Sequence, residues 1–187
     1  MRNPTKMLTF NLSTHKKARI WTNATTSFNY DVIDVITSVV QAENQRVINQ
    51  HDVAVEFYVP NGPRSLYGLL GASFSPDNDE RLTIKVNIST PEGAGYEESL
   101  AKNVDEVYVG LPSEYANSVL MGASEAVETS GIGFGTLSFH CGAHGVVGSS
   151  RMFFRLLAKI VVKLMTIEPS SMDRDIVHIL EDWRSLT

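Results

Sequence analysis

The sequence predicts an α+β fold in which helices pack on one face of a sheet. Segments of alternating hydrophobicity, typical of strands, lie at residues 53–59 and 81–89. Segments of helical periodicity begin at residues 112 and 151, each after a strand candidate, so strands and helices follow in the order of an α+β sheet. With 187 residues, 43% of them hydrophobic, we expect one domain with a packed core over residues 1–187.

The first fifty residues are predicted to form a strand or hairpin followed by a helix. Short apolar or β-branched runs at residues 7–12 and 18–21 indicate the hairpin. Asn29 can cap a helix over residues 30–49. Asp31 lies in the first turn of this helix, where the positive end of the helix dipole stabilises its negative charge. The apolar residues of this segment at helical spacing are Val32, Val35, Ile36, Val39, Val40 and Val47.

Strands and turns dominate the middle of the chain. The strand at residues 53–59 should stop at the proline and glycine turn of residues 60–63. A second short strand is predicted at residues 66–74, ahead of a polar turn at residues 75–80. Residues 104–109 form another short strand candidate.

The next helix is predicted to begin at Pro112, whose fixed φ suits the first helical position, and to run to about residue 129. Ser130 and Gly131 should end it. A short strand at residues 136–140 and a glycine-rich turn at residues 142–148 are expected to follow.

Two further helices are predicted at the C-terminal end. Residues 151–165 are apolar on most of the helix circumference and should form a central helix. Residues 166–187 contain a second helix pattern, in which Ser170 and Asp173 have the spacing of a capping box.

The composition excludes several classes of function. The chain has 16 Lys and Arg residues against 21 Asp and Glu residues, so it lacks the overall basicity of a nucleic-acid binder and we expect no DNA contact. Its single cysteine, Cys141, cannot form an internal disulfide. Residues 1–14 lack an apolar secretory segment, and charges interrupt the apolar stretch at residues 152–165, so we expect a cytoplasmic protein with no membrane contact.

Three segments, in the same chain order, resemble domain IV of bacterial elongation factor G. Residues 111–115 (L-P-S-E-Y), with the Val, Gly and E-A-V that follow, are similar to the family's I-P-x-E-Y helix with its Val, Gly and E-A-M. Residues 61–68 (N-G-P-R-S-L-Y-G) resemble its first tip loop, S-G-G-R-G-Q-Y-G. Residues 149–154 (S-S-R-M-F-F) resemble the S-S-E-M-A-F that opens its second helix.

The resemblance covers residues 51–165 and implies the fold of the second domain of ribosomal protein S5. Residues 1–50 are then an N-terminal extension and residues 166–187 a C-terminal helix. It also implies that residues 62–68 and 142–148 lie at the same end of one sheet, where the family's loops touch the decoding region of the ribosome.

The chain departs from this family in several places. Residues 69–80 look inserted after the first tip loop. The family's tip histidine falls on Gly145, His144 takes the place of its tyrosine, and both loop aspartates are absent. The sequence contains no P-loop motif, which excludes a GTPase of the P-loop class and a complete translocase.

The resemblance makes Arg64, Tyr67 and His144 the candidates for an RNA-binding tip. An arginine pairs with phosphates, and a tyrosine or histidine stacks on bases. The alternative is ordinary loop chemistry with Tyr67 buried.

Arg151, Arg155, Lys159 and Lys163 recur at every fourth position and form a basic stripe along the central helix. One hypothesis is a docking face for an acidic protein or an RNA backbone. The alternative is a solvated face partly paired with acids such as Glu168, Asp173 and Asp175.

The loop at residues 145–150 precedes a helix, where unpaired backbone N–H groups and the helix dipole can hold an anion. Gly148, Ser149 and Ser150 are the candidate anion-binding residues. The alternative is a glycine turn with a serine cap.

His140, Cys141 and His144 lie across a strand and a turn, so their spacing does not predict a metal site. No catalytic signature is present, and we assign no catalytic residue, metal or cofactor. The leading hypothesis is a non-enzymatic binding module whose partner is a ribosome, RNA or an acidic protein. The alternatives are a phosphate- or nucleotide-binding protein that uses residues 145–150, and a structural or oligomerisation domain.

Overall fold

The computed structural model describes residues 6–23, 28–41, 48, 51–78, 80–168 and 172–186. Over these residues the chain has the predicted α+β architecture, with eight strands and three α-helices. The strands are β1 (Lys6–Asn11), β2 (Lys17–Thr22), β3 (Asp34–Val40), β4 (Asp52–Asn61), β5 (Arg64–Pro76), β6 (Leu82–Ile88), β7 (Val107–Val109) and β8 (Gly135–Gly145). The helices are α1 (Ser113–Ser130), α2 (Arg151–Thr166) and α3 (Met172–Glu181), with short 3-10 helices at Ser13–His15 and Trp183–Leu186.

One sheet contains all eight strands. Seven of them follow the order β1-β2-β4-β5-β8-β6-β3, and β7 pairs with the end of β8. Every pairing is antiparallel except that of β6 with β8, which α1 connects as a parallel crossover. The strands β5 and β8 therefore lie at the centre of the sheet, and β1 and β3 lie at its edges.

The helices cover one face of this sheet, as the sequence predicts. Alternate residues of β4, including Val55 and Phe57, pack with Phe153, Leu157 and other apolar residues of α1 and α2 in the main core. The helix α3 adds Ile176 and Leu180 to the same cluster.

The opposite face of the sheet carries a second, smaller apolar cluster. Its buried members are Ala54, Tyr67, Leu69, Ala101, Val107, Cys141 and Ala143. Because Ala101 and Val107 belong to the segment between β6 and α1, this segment covers the face that the helices leave open.

The predicted helix over residues 30–49 is wrong, because the described part of this region contains the strand β3. All seven residues of β3 pair antiparallel with β6, from Asp34 opposite Ile88 to Val40 opposite Leu82. Five valine, isoleucine and threonine residues in seven favour a strand, and pairing with a buried neighbour outweighs the helical spacing. Residues 42–47 and 49–50 lie outside the described residues.

Other element boundaries also differ from the prediction. The strand β8 runs through Gly145, so the predicted glycine-rich turn narrows to residues 146–148. The strand β5 continues to Pro76 and includes most of the segment that looks inserted. Pro112 lies at the N-cap of α1, so this helix begins at Ser113, one position after the predicted start, and Gly131 ends it with φ of 68°.

The N-terminal hairpin and the C-terminal helix are confirmed. The strands β1 and β2 pair from Lys6 opposite Thr22 to Asn11 opposite Lys17. The helix α3 is present, but Ser170 of its proposed capping box lies outside the described residues.

Candidate functional site

The two loops expected at one end of the sheet do lie together. The Tyr67 backbone N–H donates to the Gly148 carbonyl oxygen across 3.0 Å, and Leu69 pairs with Ala143. The first residues of β5, including Ser65 and Tyr67, therefore lie against the turn at residues 146–148. The predicted proximity of residues 62–68 and 142–148 is confirmed.

A third segment, residues 101–105, completes this end of the molecule through Asp105. The Val147 N–H donates to Asp105 Oδ1 at 3.1 Å, and the Gly148 N–H donates to Oδ2 at 2.7 Å. We call residues 61–64, 101–105 and 146–148 together the tip.

Asp105 corrects the anion-site hypothesis for Gly148. The loop does present backbone N–H groups to an anion, but the anion is a carboxylate of the chain itself. A Cβ added at Gly145 would lie 2.1 Å from Asp105 Oδ2, so glycine there permits the close approach of the carboxylate.

The two serines that follow have structural roles, which agrees with the serine-cap alternative. The Ser149 hydroxyl accepts from the Gly145 N–H at 2.9 Å and donates to the Tyr67 carbonyl oxygen at 2.8 Å. The Ser150 hydroxyl caps α2 by accepting from the Phe153 N–H at 3.2 Å. Ser149 and Ser150 thus join the tip to the sheet and begin α2.

Tyr67 is fully buried on the smaller apolar cluster, so it cannot stack on a base. Its hydroxyl donates to Glu56 Oε1 at 2.9 Å. Burial, and next to it the Glu56 charge, raise the pKa of this hydroxyl well above its ordinary value. The alternative in which Tyr67 is buried is the correct one.

His144 is also enclosed, with 7% of the residue exposed. Its Nδ1 lies 3.2 Å from the Gly110 carbonyl oxygen, and its ring lies 5.7 Å from the Tyr115 ring, centre to centre. Burial lowers its pKa, which favours the neutral imidazole. His144 lies within β8, which continues to Gly145, and not in a loop. Of the three predicted tip residues only Arg64 is exposed.

The basic stripe on α2 is largely engaged by acids of α1. Glu125 binds Arg155 and also Lys159, whose Nζ lies 2.9 Å from its Oε2. The hydrogen bond from Arg155, and then that from Lys159, lower the pKa of Glu125.

The ends of the stripe differ from its middle. Arg151 lies 3.9 Å from Glu114, both side chains being exposed, and Lys163 is half-buried. The stripe is therefore not an open docking face. This agrees with the paired alternative, and the acids that pair with Arg151, Arg155 and Lys159 include Glu114 and Glu125 of α1.

Sequence reasoning missed the apolar surface of the tip. Val104, Val146 and Val147 are between 59% and 73% exposed. They line an open cleft of about 440 Å³ together with the polar and charged residues Lys102, Asn103, Asp105 and Glu106. The sequence does contain a signal for this surface, because two adjacent valines between glycines are unusual in a turn, where polar residues are favoured.

Sequence reasoning also missed a buried carboxylate beneath the same end. Glu56 is fully buried and accepts from the Arg19 guanidinium at 3.1 Å and from the Leu100 N–H at 2.7 Å. Burial raises its pKa, although the donors from Leu100, Arg19 and Tyr67 oppose that effect. The carboxylate fixes residues 96–100 against the sheet, because Arg19 also donates to the Glu98 carbonyl oxygen.

Within the described ranges, no group of three or more His, Cys, Asp or Glu side chains is placed to hold a metal ion. Among the helices of those same ranges, none is long and apolar enough to cross a membrane. No protein-family model matches the chain, and no curated protein matches it significantly.

Proposed function

We propose that the chain is a non-enzymatic binding module that contacts ribosomes through the tip. The observation that carries this proposal is the exposure of Val104, Val146 and Val147 on one surface. Exposed apolar residues that cluster at one site, and are bordered by polar residues, mark interaction surfaces. The resemblance to elongation factor G domain IV supports the ribosome as the partner.

The tip is suited to binding because it is held in place before any partner arrives. Asp105 accepts from the backbone of the 146–148 turn, and Ser149 joins the same turn to β5. Binding then requires little ordering of the loops, which lowers its entropic cost.

The cations near the valines suit a surface of protein and RNA. Arg64 is exposed in the hairpin next to the 146–148 turn, and Lys102 lines the cleft. Lys102 has only a weak, exposed pairing with Glu98 at 3.7 Å, so it can also face a phosphate.

The phosphate-binding alternative receives less support from the site. Asp105 already accepts from two of the backbone N–H groups that a bound phosphate would need, so these donors are engaged. The oligomerisation alternative rests on a different surface, the edge strand β3.

Cosedimentation with bacterial ribosomes at increasing salt tests the proposal. The parent should pellet with ribosomes at low salt, and its association should weaken as salt rises, because Arg64 and Lys102 contact phosphates. The variant Val146→Ser with Val147→Ser and Arg64→Ala should associate at least about tenfold more weakly.

Val177→Ser is the matched control, since Val177 is an exposed valine on α3 outside the tip. It should associate like the parent. The proposal fails if the parent does not associate at low salt, or if the tip variant associates as well as the Val177→Ser control.

A further inference from the structure

The strand β3 is an edge strand with an exposed apolar surface. Val35 and Val39 in β3, and Ile33 just before it, are between 45% and 61% exposed. Lysine, proline or a bulge usually protects such an edge from pairing with another chain. The strand β3 has none of these, and its one charged residue, Asp34, is at its start.

The core fixes the position of β3, whereas its outer edge is open among the residues that the structure describes. Ile36 and Val40 pack against the main core, and the full length of β3 pairs with β6. The sheet order ends at β3, so no described strand pairs with its other side. A rigid strand with unpaired N–H and C=O groups is a template for a further strand.

We propose that β3 pairs antiparallel with β3 of a second copy of this chain, about a two-fold axis at Thr37. The segment 35–39 reads Val-Ile-Thr-Ser-Val, which is nearly symmetric about its centre. In this register each Val35 lies opposite Val39 of the other copy, and each Ile36 lies opposite Ser38. Cross-strand pairs of β-branched residues stabilise a sheet.

The position of Asp34 selects the antiparallel arrangement. In the two-fold register each Asp34 faces Val40 of the other copy, and the two carboxylates are about 20 Å apart at 3.3 Å per residue. A parallel pairing in register would bring the two Asp34 side chains together, and like charges directly opposite each other destabilise a sheet.

The same symmetry favours a second copy over an unrelated peptide. A two-fold interface needs a surface that is complementary to itself, and the near-palindrome of 35–39 has this property. The edge at β3 is also separate from the tip, which includes the turn between β4 and β5 and the turn that follows β8, so pairing would leave the tip accessible.

Sedimentation equilibrium of the full chain over a range of concentrations tests the pairing. The parent should show a dimer with twice the 20.6 kDa mass of the chain. The variant Val35→Lys with Val39→Lys should be monomeric, because it places charges in the interface. Met7→Lys is the matched control, since Met7 is exposed on β1 at the opposite edge, and it should remain dimeric.

A cysteine at the proposed axis tests the register independently of the lysine variant and its folding. Thr37 is exposed, so Thr37→Cys should form a disulfide-linked dimer under mild oxidation, because opposed strand residues lie within disulfide distance. Asp34→Cys should form none, since its two copies are too far apart. The native Cys141 is buried, and the parent therefore provides the background.

A parent that is monomeric up to its highest soluble concentration would overturn the proposal. So would a dimer that the lysine variant leaves intact. Cross-linking through Asp34→Cys in place of Thr37→Cys would overturn it as well, because it would place the axis elsewhere.

Discussion

Asp105 is the residue that most changes the interpretation of the tip. Sequence reasoning placed an external anion in the 145–150 loop, because glycines ahead of a helix leave backbone N–H groups free. In the structure the Asp105 carboxylate occupies that position, and Asp105 precedes Val147 by 42 residues and Gly148 by 43. No local sequence pattern indicates such a long-range contact. The sequence could therefore predict that an anion binds the loop, but not that this anion is a carboxylate of the chain.

A double-mutant cycle between Gly145 and Asp105 tests this contact. Gly145→Ala should destabilise the parent, because the added Cβ would lie 2.1 Å from Asp105 Oδ2. In an Asp105→Ala background the next atom is Tyr67 Cδ1 at 3.6 Å, an ordinary contact, so the same change should be nearly neutral. We expect a coupling free energy of at least about 1 kcal/mol, measured by urea unfolding of the four proteins. Equal costs in both backgrounds would show that Asp105 does not occupy the loop.

Tyr67 and His144 show a second limit of reasoning from residue types. Both were candidates for base stacking because the family resemblance placed them in tip loops, and both lie in strands with buried side chains. Side chains alternate between the two faces of a strand, so the pattern of β5 and β8 could have predicted that Tyr67 and His144 are buried. The neighbouring glycines, however, suggested that the strands end before these residues.

At the scale of elements, the contact between α1 and α2 depends on one glycine. A Cβ at Gly122 would lie 2.1 Å from the Arg155 carbonyl oxygen, which belongs to the backbone of the opposite helix. The two helices approach so closely there that Glu125, one turn further along α1, reaches both Arg155 and Lys159. The stripe on α2 is therefore part of the helix interface.

Gly122→Ala should lower the free energy of unfolding by about 3 kcal/mol, because the helices must move apart to admit the methyl group. Gly95→Ala is the matched control, since a Cβ there would meet nothing within 4 Å and should change stability by less than about 0.5 kcal/mol. Chemical denaturation of both variants gives the comparison. A Gly122→Ala variant as stable as the control would mean that the helices are further apart.

Elements whose ends are marked by adjacent residues were predicted more accurately than an element that depends on a distant strand partner. The helices α1 and α2 were predicted closely because caps, glycine and proline mark their ends locally. The strand β3 was missed because Val32, Val35, Ile36 and Val39 of the predicted helix fit a helical face. Its partner β6 lies 48 residues later along the chain. Strand pairing of that range is not visible in periodicity.

At the scale of the whole molecule, the two ends of the chain are joined through Glu181. This carboxylate of α3 accepts from the Ser13 N–H at 2.6 Å and also binds the Lys16 ammonium, which is nearly buried. The contact closes the C-terminal helix onto the turn between β1 and β2, 168 residues away. The two segments outside the elongation factor resemblance thus contact each other.

The contact of Glu181 with Ser13 and Lys16 should make the free energy of unfolding depend on pH. The hydrogen bond from Lys16, followed by those from Ser13, lowers the pKa of Glu181 to about 2 from 4.5. A carboxyl whose pKa is lowered by folding stabilises the folded state above the unfolded pKa, and this stabilisation is lost as pH falls towards the folded pKa. The contribution of Glu181 should therefore be complete above about pH 5 and disappear between about pH 4.5 and 2.

Glu181→Gln should lower the free energy of unfolding by about 1 kcal/mol at neutral pH, a modest amount because the carboxylate is partly exposed. The difference between parent and variant should shrink as pH falls and vanish near pH 2, where the parent's carboxyl is also neutral. Urea unfolding of both proteins at a series of pH values measures it. Glu128→Gln is a suitable control, since Glu128 is an exposed acid on α1, and its difference from the parent should not follow the same pH dependence. A difference that stays constant from neutral pH to pH 2 would show that the charge of Glu181 does not hold the two ends together.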